Sequence, residues 1–187
     1  MSISNLAGVV PPLMLPLTER GDIDEGSLCR QIDFLLDAGV HGLWVNGTTG
    51  DFFALSDSER LQVAEVCVRH VDGRVPIIVQ VGDCATRRVI EKGEQAVGAG
   101  CDGVSVVLPY YLDYSQEELK RHYREISRAL GRPVFLYQLP QMCKVALAIP
   151  NILELSGEGV LAGIKDSAGD VDFYYRLVRG EREAATG

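Results

Sequence analysis

Gly163-Ile164-Lys165-Asp166-Ser167 closes an apolar run, Gly159 to Ile164, that reads as a buried strand. The lysine at its end is the unusual feature. Burying an ammonium without a partner is costly, so a lysine in such a place is paired or has its pKa lowered. A lowered pKa makes the amine a nucleophile at neutral pH, able to form a Schiff base with a carbonyl. Two bland readings compete: a side chain that snorkels to the surface, or one paired with Asp166. On Lys165 alone the bland readings are favoured, so the question is whether other residues converge on it.

Working back along the chain, similar short apolar runs recur. Pro133 to Leu136 ends in Tyr137-Gln138-Leu139-Pro140, and Gly103 to Leu108 is followed by Pro109-Tyr110-Tyr111. Pro76 to Val81 is another run, and Leu43-Trp44-Val45 ends in the loop Asn46-Gly47-Thr48-Thr49-Gly50. Val9 to Leu17 carries prolines at 11, 12 and 16, which predicts a short first strand with an irregular exit. Helical patterns lie between the runs. Leu28, Ile32, Leu35 and Leu36 share a face that stops at Gly39. Ser56 with Glu59, and Ser115 with Glu118, have capping-box spacing ahead of the second and fourth helices. Leu61, Ala64, Val68 and Val71 mark the face of the second; Leu119, Tyr123, Ile126 and Leu130 mark that of the fourth. Helices are also expected over Arg87–Val97, Pro150–Leu155 and Val171–Val178.

Strands followed by helices about every 26 to 34 residues are βα units. The strands are continuous apolar runs, as in a parallel sheet covered on both faces. Two closures fit: an open doubly wound sheet or a (β/α)8 barrel. The polar and aromatic candidates (Thr48, Thr49, Tyr111, Tyr137, Lys165) all fall at or just after strand ends. In a barrel those ends line one face, where active sites sit, whereas an open sheet strings them along an edge. Convergence favours the barrel, of which the chain supplies about six βα units in a single partial domain, residues 1–187.

Composition narrows the function. With 187 residues, 47% hydrophobic and 24% charged, the chain reads as one soluble globular domain. A net charge of −8 is opposite to the footprint of a nucleic-acid binder. Five widely spaced cysteines without C-x-x-C argue against a disulfide framework and fit a reducing, cytoplasmic setting. His41, His70 and His122 form no metal-binding pattern, so no metal is expected. No run approaches the length of a membrane span, and Met1–Pro12 is a poor signal peptide.

Gly47-Thr48-Thr49-Gly50 followed by Leu55-Ser56, Tyr137 with Pro140, and Gly163-Ile164-Lys165-Asp166-Ser167 together resemble the family of dihydrodipicolinate synthase and N-acetylneuraminate lyase. The resemblance runs from about Val9 to Tyr175. It implies a Schiff-base-forming enzyme on a (β/α)8 barrel with no cofactor. The family's barrel has eight strands and a further helical region, so strands seven and eight and that region are expected to be absent from this chain. The polar stretch Arg179–Gly187 shows no strand pattern.

By that resemblance Lys165 is the amine that attacks pyruvate or another 2-oxo acid, and Tyr137 is the proton relay. Thr48 links the relay to a second tyrosine, Tyr111, which in relatives crosses a subunit interface, so a homo-oligomer is implied. Thr49 and the amides around Gly47 and Gly50 bind the 2-oxo acid carboxylate, since a Gly-rich turn presents N–H groups to an anion. Two departures stand out. Gln138 occupies a place where the family often has asparagine. Met142 stands two residues beyond Pro140, where the synthases carry an arginine for a substrate carboxylate. Methionine cannot make a charge-assisted pair, and Lys144 is a point charge two positions on. The leading expectation is therefore an imine-forming lyase or aldolase on pyruvate or a sugar-derived 2-oxo acid, with an aldehyde as second substrate. The alternatives are a 4-hydroxy-tetrahydrodipicolinate-synthase-type condensation, or an inactive truncated relative that binds 2-oxo acids.

Overall fold

The prolines of Val9–Leu17 decide how the sheet begins. The computed structural model describes Ile3 and residues 6–186, with side chains through Glu183; Met1, Ser2, Ser4, Asn5 and Gly187, which the expected domain range takes in, lie outside the described residues. Residues 9–13 run beside β1 (Leu43–Val45): the Trp44 amide donates to Pro11 O at 3.0 Å, and the Leu13 amide to Trp44 O at 2.9 Å. The pairing amounts to an isolated parallel bridge at Pro12. Pro11 and Pro12 have no N–H to extend a ladder. The expected first strand is thus corrected to an extended segment.

Beyond it come β2 (Ile77–Gln80), β3 (Gly103–Val107), β4 (Val134–Gln138) and β5 (Gly163–Asp166). The helices are α1 (Glu25–Asp37), α2 (Asp57–Val71), α3 (Thr86–Ala99), α4 (Gln116–Leu130), α5 (Ile149–Gly157) and α6 (Val171–Thr186). The strand order is β1-β2-β3-β4-β5, with no reversal. A doubly wound sheet reverses at a switch point, whereas a barrel takes its strands in sequence.

The chain divides into two compact units, residues 1–81 with 91–104, and residues 82–90 with 105–187. In the first unit, β1 and β2 pair in parallel, Leu43 with Ile77 and Val45 with Val79, and every residue of both strands is buried. Leu28 and Ile32 of α1 are fully buried, and α1 packs on α2. The Asp24 carboxylate caps α1 by accepting from the Ser27 amide at 2.9 Å. Ser56 and Glu59 form the expected capping box of α2. The Asp102 carboxylate accepts from the Ile77 amide at 2.8 Å, tying the approach to β3 onto the start of β2.

In the second unit, the expected inner face of α4 is buried, and the Tyr123 hydroxyl donates to Val106 O at 2.8 Å. Its box at Ser115 and Glu118 also forms. Lys120 and Arg124 of α4 bridge to Glu154 of α5, and Arg124 also to Glu158 just past its end. β4 and β5 pair in parallel with Phe135 opposite Gly163 and Tyr137 opposite Lys165. β4 is wholly buried, but all of β5 is half-buried, a correction to the buried strand expected there. β5 is last in the strand order, so it has a strand on one side only among the described residues. The helix expected over Val171–Val178 extends to Thr186, with Asp172–Arg176 and Arg179–Glu183 ion pairs at i,i+4 spacing along its polar surface.

Gly163 is required by close approach. A Cβ there would stand 3.0 Å from two ring carbons of Phe135.

Candidate active site

Lys165 and Tyr137 are register partners on adjacent parallel strands, so their side chains leave the sheet on the same face. The Lys165 Nζ lies over the Tyr137 ring, 4.1 Å from its centroid. An ammonium held against an aromatic face is stabilised by the ring quadrupole. Tyr137 is 3% exposed and Lys165 is half-buried. The phenol and the amine thus share one small volume at the C-terminal ends of β4 and β5.

Strand alternation separates these residues from their neighbours. Gln138 and Asp166 point to the opposite face. The Gln138 side-chain oxygen accepts from the Leu147 amide at 2.9 Å, holding the segment that leads into α5. The asparagine-to-glutamine departure therefore falls on a structural bond. Asp166 Oδ1 accepts from the Ala168 amide at 3.3 Å, an Asx-type turn after the strand, so the reading that pairs it with Lys165 loses its geometric basis. Ser167 N donates to Gln138 O at 2.9 Å, which fixes the exit of β5 beside the exit of β4.

After Pro140, Met142 is 67% exposed and Lys144 is also exposed. Cys143 between them is buried, its thiol bonded to Leu108 O at 3.4 Å. Burial pushes the Cys143 thiol up to about 11 and the Cys67 thiol up to about 12, so neither is a nucleophile at neutral pH. Tyr111, in the loop between β3 and α4, is 72% exposed.

The Gly47–Gly50 stretch belongs to the first unit, whereas Lys165, Tyr137 and Tyr111 belong to the second. Thr48–Gly50 is a single 3-10 turn directly after β1, flanked by left-handed residues Asn46 (φ 56) and Asp51 (φ 50). The Gly50 amide donates to Gly47 O at 3.0 Å, and the Asp51 amide to Thr48 O at 3.1 Å. Those two donors are used inside the turn. Gly47 and Gly50 are buried, Thr48 is half-buried and Thr49 is exposed. A Cβ on Gly50 would stand 3.0 Å from Leu13 O, so this glycine lets the turn lie against the residue 9–13 segment. Sequence reasoning passed over Asn46, which is 4% exposed and bonded through Nδ2 to Arg60 O at 2.8 Å. The signal was the Asn-Gly pair, since asparagine tolerates the left-handed region. The second 3-10 turn, Phe52–Ala54, was also unforeseen.

Among the described residues no group of three or more His, Cys, Asp or Glu side chains could hold a metal ion. No described helix is long and apolar enough to cross a membrane.

Comparison with known proteins places the chain in a family. The sequence model of the Dihydrodipicolinate synthetase family matches residues 5–185. The chain is 35% identical over 178 residues to an uncharacterized DapA-like lyase of Halobacterium salinarum, covering 95% of this chain and 59% of that one. It is 35% identical over 170 residues to a 4-hydroxy-tetrahydrodipicolinate synthase of Staphylococcus carnosus, covering 91% and 58%. In structure it resembles a prophage protein of the dihydrodipicolinic acid synthase family from E. coli K12 in complex with pyruvate, with TM-score 0.93 and 31% identity over 97% of this chain and 61% of that one. The chain thus spans about three fifths of the length of the relatives it matches.

Proposed function

Because the chain belongs to the dihydrodipicolinate synthetase family, whose fold is the (β/α)8 barrel, we propose that the protein is an imine-forming lyase or aldolase acting on pyruvate or a sugar-derived 2-oxo acid. The observation that carries this reading is the Lys165 amine seated over the Tyr137 ring on paired strands. The neutral amine attacks the 2-oxo carbon and water leaves, giving an imine. Once protonated, the imine is an electron sink: a C3 proton departs to give an enamine that attacks an aldehyde, or a C3–C4 bond breaks in the reverse direction. Both directions need a group that gives and takes a proton beside the imine, and Tyr137 is assigned that work. The Gly47–Gly50 turn is assigned the 2-oxo acid carboxylate through Thr48 and Thr49, with the Thr48 hydroxyl also in the proton relay.

The exposure of Tyr111 supports a role completed in a second copy of the chain, hence a homo-oligomer. The free thiols fit a cytoplasmic enzyme. Residues 1–187 are read as part of one barrel domain. Met142 in place of an arginine favours cleavage or addition on a sugar-derived acid over the condensation. The condensation is kept as a second reading because matched relatives carry the name 4-hydroxy-tetrahydrodipicolinate synthase. The test is incubation with pyruvate and borohydride, read as intact mass, followed by turnover with a panel of aldehydes. Gain of one reduced pyruvyl group with aldehyde-dependent turnover supports the enzyme; adduct formation without turnover points to an inactive 2-oxo acid binder. No adduct on the folded protein contradicts the reading.

A further inference from the structure

Both ends of the Gly47–Gly50 turn are held by one residue of α2. At its start, the Asn46 side chain donates to the carbonyl of Arg60 at 2.8 Å. At its end, the Arg60 guanidinium lies over the ring of Phe52, 5.2 Å from the centroid. Arg60 is 7% exposed and Phe52 is 6% exposed, so the arrangement is buried. We propose that Asn46 and Arg60 are positioning residues that clamp this turn and set its affinity for the substrate carboxylate, an inference that rests on the reading of the turn given above.

Two physical points favour a clamp over simple packing. The left-handed φ at residue 46 does not account for asparagine, because glycine would hold it without strain. Glycine would also avoid the buried Asn46 Oδ1, which has no hydrogen-bond partner. What only the amide supplies is the tether to α2. The Arg60 carbonyl lies inside α2 and takes its helical bond from four residues on, so the helix does not depend on Asn46. The bond therefore acts on the turn. The turn's own hydrogen bonds close it internally, whereas the Asn46 and Arg60 contacts tie it to α2, and small displacements of its donors weaken anion binding.

The experiment compares Asn46→Gly, Arg60→Met and Arg60→Lys with Thr48→Ala and Thr49→Ala as controls in the full chain. Pyruvate-dependent borohydride trapping gives the half-saturating concentration and maximal extent, and thermal unfolding gives stability. Asn46→Gly is expected to raise half-saturation about fivefold, the worth of one net hydrogen bond, and Arg60→Met, which keeps the Arg60 carbonyl and loses the cation over Phe52, roughly two- to fivefold. The maximal extent is expected to stay within about twofold, since uniform binding alone is lost. Arg60→Lys keeps the cation over Phe52 and is expected to recover most of the affinity. Lower melting temperature with unchanged half-saturation in both variants overturns the clamp. If Thr49→Ala and Thr48→Ala both leave half-saturation unchanged, the assignment of the carboxylate to Thr48 and Thr49 fails; if either raises it while Asn46→Gly does not, only the clamp fails.

Discussion

Replacing Gly163 by alanine should loosen β5 from β4 and displace the lysine two residues on. The added Cβ would stand 3.0 Å from both Cδ1 and Cε1 of Phe135, its register partner. Phe135 is 8% exposed in a wholly buried strand, so its ring has little freedom to withdraw. Overpacking of this kind costs about 1–3 kcal/mol. The gain from restricting the unfolded chain offsets roughly 0.4–1 kcal/mol of that. The net loss of about 1–2 kcal/mol corresponds to a melting temperature lower by roughly 2–8 °C for a chain of this size. Thermal unfolding followed by circular dichroism reads it. Phe135→Leu in the same chain makes room for the methyl, so the double variant should lose less stability than the two singles summed, a coupling typical of residues in contact. A melting temperature for Gly163→Ala equal to that of the parent, or strict additivity with Phe135→Leu, would refute the reasoning.

Tyr137→Phe keeps the ring under the Lys165 amine and removes only the hydroxyl, so pyruvate trapping should persist while turnover falls by roughly 100-fold or more; equal turnover would remove Tyr137 from the relay. His122 is buried beside the Thr86 hydroxyl, and burial pushes its pKa down from 6.5 to about 4. In the unfolded chain it binds a proton at higher pH, so its contribution is fully present above about pH 6.5 and is lost as pH falls through 4, on the order of 3 kcal/mol in all. His122→Asn should flatten that part of the pH–stability curve; an unchanged slope in denaturant titrations at pH 4 to 7 would exclude the assignment.

How far the sequence carried depends on how local the determining physics is. Ser56 with Glu59 and Ser115 with Glu118 close their capping boxes because a cap is decided within four residues. The α4 face of Leu119, Tyr123, Ile126 and Leu130 was readable because helical period and burial coincide there. The prolines of Val9–Leu17 signalled an irregular exit, but whether one bridge or a strand survives depends on the partner at Trp44. β5 reads as buried from its composition, yet burial of a strand is set by its neighbours in the sheet. At the site, Lys165 and Tyr137 stand out in the sequence as candidates by their places at strand ends and by the family resemblance, while their one-to-one register comes only from strand pairing. The Asn-Gly pair signals the left-handed residue at Asn46, but the partners that Asn46, Gln138 and Gly163 meet are not written in any local pattern. Each acts on a partner far along the chain: Arg60, Leu147 and Phe135.

The central claim is that the Lys165 amine forms the imine. Borohydride trapping with pyruvate, followed by peptide mass spectrometry on the parent chain and on Lys165→Ala, tests it most directly. The account predicts one reduced pyruvyl adduct, on the peptide that carries Lys165, and none anywhere in the folded Lys165→Ala variant. An adduct on another lysine, or undiminished trapping in Lys165→Ala, would contradict it.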